Sequence, residues 1–103
     1  MSETVRAPED CETMADVRAG VDALDRQLMQ LIAVRFGYMR AAARIKPERG
    51  HVRDEDRKAQ VIANVREDAR REDIPEEALA EIWDALVEAS IAYEMAEFDR
   101  TRG

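Results

Sequence analysis

Arg35 and Lys46 stand eleven residues apart with no proline between them. Eleven residues make about three helical turns, so on a helix the two side chains point nearly the same way, roughly 16 Å apart along the axis. Two long cations reaching toward each other can hold the two ends of a small dianion. Three further features gather around them. Residues 35–58 hold eight Lys/Arg against four Asp/Glu, in a chain whose net charge is −7. Arg57 shares a helical face with Val61 and can point inward. A third apolar stripe runs from Leu86 into the polar Ser90 and Glu94. Polar groups from three helices converging on one cavity is how helical bundles build ligand sites. The competing reading of Arg35 is an ion pair with an acidic residue of another helix, since an arginine in an apolar seam is costly to bury alone. Arg18 lies seventeen residues before Arg35, about 100° away around a straight helix. It cannot easily serve the same cavity but can serve that of a partner chain; an i,i+4 ion pair with Asp22 is the alternative.

These groups must be carried by helices. Pro8 and its polar neighbours make residues 1–12 an extended arm, leaving 13–103 as one helical domain. Thr13 or Asp16 can cap a first helix that runs to Lys46, where Pro47 stops it. Its seam is Val17, Val21, Leu24, Leu28 and Leu31, spaced alternately by four and three. Continued, the same seam reaches Arg35, Tyr38, Ala42 and Ile45. A second helix is expected from Asp54, its N-cap, to Arg71, with Val61, Ile62, Val65 and Ala69 as its stripe. A third starts near Pro75 and continues to about Arg100, with Leu79, Ile82, Trp83, Leu86 and Val87 inward. At about 1.5 Å per residue the first helix measures about 50 Å, longer than the roughly 35 Å diameter of a compact domain of this length. An all-α, intertwined homodimer with long first helices side by side is the simplest way to cover its stripe.

Composition excludes other classes. With 46% hydrophobic and 38% charged residues, few glycines and prolines and 5% aromatics, the 103-residue chain suits helices and not sheets. Its acidity argues against nucleic-acid or anionic-membrane partners. The single Cys11 cannot form an internal disulfide, which fits a reducing compartment, and the single His51, in a Gly/Arg-rich stretch, reads as a solvated loop residue. Neither a metal nor a cofactor is expected. MSETVRAPEDCET has no apolar core, so no secretory signal is expected and the location should be cytoplasmic. At this point the residues describe a helical dimer with a cationic pocket for a small dicarboxylate.

The pieces together resemble a known family, the all-helical class of chorismate mutases, and within it the isochorismate pyruvate lyase branch. They are PEDC (8–11), ADVRAGVDALDRQLMQLIAVRF (15–36), AARIK (42–46), VRDEDRK (52–58) and TRG (101–103). The resemblance implies a role for each candidate. Arg18 corresponds to the arginine that crosses into the partner's site, and Arg35 to the one that grips a substrate carboxylate. Lys46 corresponds to the lysine at the ether oxygen and a carboxylate, Asp54 to the aspartate beside the ring hydroxyl, Arg57 to the arginine near the ring carboxylate, and Ser90 to a polar contact. Two positions depart from the family: Lys58 stands where Glu is common, and Glu94 where Gln is common. Glu94 can donate to the ether oxygen only when protonated. The implied activity is rearrangement of chorismate to prephenate, with Lys46, Glu94 and Arg35 as the catalytic set. The alternatives are cleavage of isochorismate to salicylate and pyruvate, or a non-catalytic dimer that binds an anion or a protein. PEDC and the carboxy-terminal residues favour the lyase branch. Asp54, which that branch lacks, favours the mutase.

Overall fold

A computed structural model describes residues 5–102 and contains, among them, three α-helices and no strand. They are α1 (Met14–Ile45), α2 (Glu55–Arg71) and α3 (Glu76–Arg102), with single 3-10 turns at Pro8–Asp10 and Arg49–His51. The first turn lies within the arm expected at residues 1–12, of which residues 1–4 fall outside the described residues; Pro8 starts it, and its carbonyl accepts from the Cys11 N–H. His51 lies exposed in the second.

The helix ends follow local chemistry. Thr13 Oγ1 accepts from the Asp16 N–H at 3.1 Å, while Asp16 Oδ2 accepts from the N–H groups of Thr13 (3.3 Å) and Glu12 (3.0 Å). This reciprocal cap satisfies donors that a helix start leaves open. The hydrogen bond from Glu12, foremost, holds the Asp16 carboxyl below its ordinary value. Helix α1 runs unbroken through Gly20 and Gly37. Asp54 caps α2, its Oδ1 accepting from the Arg57 N–H at 3.0 Å. At the other end of α2, Asp73 takes a left-handed conformation with φ of 57°. The Ile74 N–H then reaches the Ala69 carbonyl (3.0 Å) and the Asp73 N–H the Arg70 carbonyl (3.2 Å). That is the paired closure by which helices terminate at a left-handed residue. Pro75 follows, just before the start of α3.

The chain divides into two compact units, one ending at Arg35 and the other beginning at Phe36, both within the span of α1. In the first unit the predicted seam is uncovered: Val17, Val21, Leu24, Leu28 and Leu31 are 38–66% exposed. In the second unit Ala43, Val52 and Phe98 form a core against which Ile91 and Met95 pack. Along α3 the buried residues are Ala80, Val87, Ser90, Glu94 and Phe98. Ile82, expected inward, is 57% exposed, because the buried stripe passes through Ala80 and the half-buried Trp83 instead. Helices α2 and α3 are also tied by charge. Lys58 Nζ lies 3.0 Å from Asp84 and 2.8 Å from Glu88, and Arg53 lies 2.7 Å from Glu88. Arg66–Glu77 and Arg70–Glu76 pairs join the far ends. No helix is long and apolar enough to cross a membrane.

Candidate active site

Within the second unit, α1 delivers Lys46 at its carboxy-terminal end, and α3 delivers Ser90 and Glu94, one turn apart on its buried face. Lys46 Nζ sits 2.7 Å from Glu94 Oε2, with the Glu94 side chain 5% exposed and that of Lys46 30% exposed. The contact is ionic and not an aligned hydrogen bond, since the buried Oε2 accepts none. Lys46 Nζ also donates to the Val52 carbonyl at 3.4 Å. Ser90 Oγ donates to the Leu86 carbonyl at 2.7 Å, a bond within its own helix. A carboxylate taken out of water needs a countercharge, and Lys46 supplies it. The pair is half-open to solvent on the lysine side only, so an entering anion would meet Lys46 first.

The Lys46 anchor depends on a residue with no signal in the sequence. Val52 is 3% exposed, packed on Ala43 and Phe98, and this fixes the carbonyl that Lys46 touches. A backbone acceptor presented by a connecting segment carries no residue-type mark.

The other expected residues are placed differently. Asp54 and Arg57 are exposed at the start of α2. The Arg57 guanidinium does not point inward as expected; it donates along its own helix to Gln60 Oε1 at 2.9 Å. Asp54 is engaged as the cap of α2. Lys58, the departure from the family pattern, is held by Asp84 and Glu88 as a clamp between helices. Hydrogen bonds to Glu88 and Asp84 raise its pKa. Glu88, between Arg53 and Lys58, is held down to about 2, chiefly by the hydrogen bond from Arg53. In the first unit Arg18 is exposed and Arg35 half-buried. Among the described residues no ion pair joins Arg18 to Asp22, the alternative raised by their spacing. The described residues contain no His/Cys/Asp/Glu group that could hold a metal ion.

A cationic group in a largely buried site can stabilise negative charge that develops on an oxygen beside it. The chain is 24% identical to an isochorismate pyruvate lyase of Pseudomonas aeruginosa over 99 residues, 96% of this chain and 98% of that protein. A family model described as chorismate mutase type II matches residues 17–95, which include Arg18, Arg35, Lys46, Asp54, Arg57, Ser90 and Glu94. With most of its length matched, from the first turn of α1 into the last turns of α3, the chain belongs to the chorismate mutase type II family.

Proposed function

We propose that the protein is an enzyme that rearranges chorismate to prephenate. The observation that carries this reading is the Lys46–Glu94 pair, set in a family whose chemistry needs charge at an ether oxygen. The reaction is pericyclic: the ether C–O bond breaks as a C–C bond forms, and no nucleophile is needed. The enzyme must hold a flexible dianion in the reactive conformer and stabilise charge growing on the ether oxygen. Arg35 grips one carboxylate, Arg57 reaches the ring carboxylate by exchanging its Gln60 partner for the substrate, and Asp54 and Ser90 contact the ring hydroxyl and its surroundings. Lys46 faces the ether oxygen. When the substrate takes Lys46, Glu94 loses its countercharge in a site that now contains a dianion. Glu94, across from Lys46 on α3, serves in its protonated form as the second donor to the ether oxygen.

The functional unit is a homodimer in this reading. Its support is the row of exposed apolar residues on α1, Val17 to Leu31, continued by Val34, Tyr38 and Ile45. An apolar stripe of this length is what a partner helix covers. The partner chain then contributes Arg18 to each pocket. The substrate is a small dicarboxylate, and the expected location remains the cytoplasm.

A second reading, cleavage of isochorismate to salicylate and pyruvate, is favoured by the lyase relative, which aligns over almost its whole length. One experiment separates the two. The purified protein is incubated with chorismate and, separately, with isochorismate, and prephenate, salicylate and pyruvate are assayed. Prephenate from chorismate is the expected product; salicylate with pyruvate as the only products would establish the lyase, and turnover of neither substrate would overturn both.

A further inference from the structure

A second cationic feature lies in the same unit but on a different face of α1. Arg40, Ala43 and Arg44 of α1 and Glu97, Arg100, Thr101 and Arg102 of α3 line a cleft of about 400 Å³. Arg40 and Arg44 are four residues apart and share a helix face, whereas Lys46 lies two residues beyond Arg44, about 160° around the helix. Neither Lys46 nor Glu94 lines the cleft, which is distinct from that pair.

Four arginines against one glutamate is unusual crowding in a chain of net charge −7. Part of it is structural. The Arg102 guanidinium donates to the carbonyls of Ala43 (2.8 Å), Arg44 (3.0 Å) and Pro47 (3.2 Å) and lies 4.1 Å over the Phe98 ring. It satisfies the open carbonyls at the end of α1 and offsets the negative pole that would repel an anion there. Arg40 spends one nitrogen on the Tyr93 hydroxyl, at 2.9 Å. Arg100 grips Glu97 through both Nε (2.7 Å) and a terminal nitrogen (3.2 Å). The Glu97 side chain is only 15% exposed. Its carboxyl is held below the ordinary value by the Arg100 hydrogen bond first, with a contribution from the charge of Arg40. Glu97 thus shows a carboxylate held in this cleft by the Arg100 guanidinium, within the field of Arg40. Arg44 has no carboxylate bonded to it among the described residues and adds its donors to the same cleft.

We propose that this cleft is a second anion-binding site, which takes a small molecule bearing two or more carboxylate or phosphate groups. Arg44 and the remaining donors of Arg40 and Arg100 hold its oxygens in the charge-assisted, forked geometry that guanidinium favours. Glu97 occupies part of the site and competes with the ligand. The site does not depend on which reaction the protein catalyses.

The test is an NMR titration of the full chain with citrate and, separately, with pyrophosphate, following the arginine Nε–H signals. Saturable shifts of the Arg44 and Arg100 signals are expected for at least one probe, and the stronger binder tells carboxylate from phosphate preference. Arg44→Ala, an exposed change, should weaken binding about tenfold, the loss expected for a charge-assisted hydrogen bond. Glu97→Gln should do the opposite and tighten it by about fivefold, by removing a competing charge. Lys46→Ala should leave it unchanged. Shifts that never saturate, or binding lost in Lys46→Ala but not in Arg44→Ala, would overturn the proposal.

Discussion

Lys46 and Glu94 are coupled in two ways that substitution can separate. In catalysis Lys46 is needed at the ether oxygen, and losing one such donor costs roughly 10²–10³-fold in kcat. In stability it is the countercharge of a carboxylate that is 5% exposed. Lys46→Ala should therefore lower both turnover and Tm, the latter by about 1–3 kcal/mol of stability, less than for a fully buried pair because the lysine is partly solvated. Adding Glu94→Gln should restore most of the stability and none of the lysine-dependent rate. Thermal unfolding at fixed protein concentration and steady-state kinetics on the three variants check this, and Tm unrestored in the double variant would show that the pair is not the cause. The single Glu94→Gln has its own signature. Glutamine keeps the shape of glutamate and supplies a permanent donor to the ether oxygen. The kcat of Glu94→Gln should equal or exceed that of the native protein, and a fall of more than about tenfold in steady-state kinetics would show that Glu94 is not a donor to the ether oxygen.

At the scale of elements, each helix is closed by a local device, and one of them is not optimal. Asp73 adopts a positive φ at the end of α2, where glycine is the usual residue because it has no Cβ. Asp73→Gly keeps both terminal hydrogen bonds and should stabilise the protein by roughly 0.5–1 kcal/mol, relieving left-handed strain at some cost in chain entropy. A lower Tm would mean that the Asp73 side chain has a role of its own. The α2–α3 clamp makes a pH prediction. Glu88 has a folded pKa of about 2 against an ordinary 4.5, so its contribution is fully present above about 4.5 and is lost as pH falls through about 2. Tm should decline across that acid window, and Glu88→Gln should show a shallower decline from a lower plateau. Parallel curves for both proteins would show that Glu88 is not the group responsible.

For the whole molecule, the decisive question is how the seam of α1 is covered. If two chains share each pocket, an Arg18→Ala chain mixed with an Arg35→Ala chain should regain activity that neither variant has alone. In the mixed dimer one pocket carries both defects and the other carries neither. Recovery approaching about a quarter of native turnover is expected for random mixing, since half the dimers are mixed and half their pockets intact. Heterodimers proven by mass spectrometry but inactive would place Arg18 outside the shared pocket.

The helices, their limits and the candidate charges were legible in the sequence because the forces that set them are local. Thr13 and Asp16 cap α1, Pro47 ends it, Asp54 caps α2, and each acts on neighbours within four residues. Helical period likewise put Ser90 and Glu94 on the inner face of α3, where both are 3% exposed. What the tertiary structure alone decided is which polar groups meet. Arg57 had the right face, but Gln60 offers its guanidinium a partner on its own helix. Ile82 had the right residue type, yet it is 57% exposed while the smaller Ala80 is 4% exposed. Lys58 became a clamp because Asp84 and Glu88 come within reach only when α2 and α3 pack. Val52 holds Lys46 through a carbonyl, and Arg102 closes the end of α1 from the far end of the chain. Such contacts join residues distant in sequence, and no local pattern encodes the distance between two side chains on different helices.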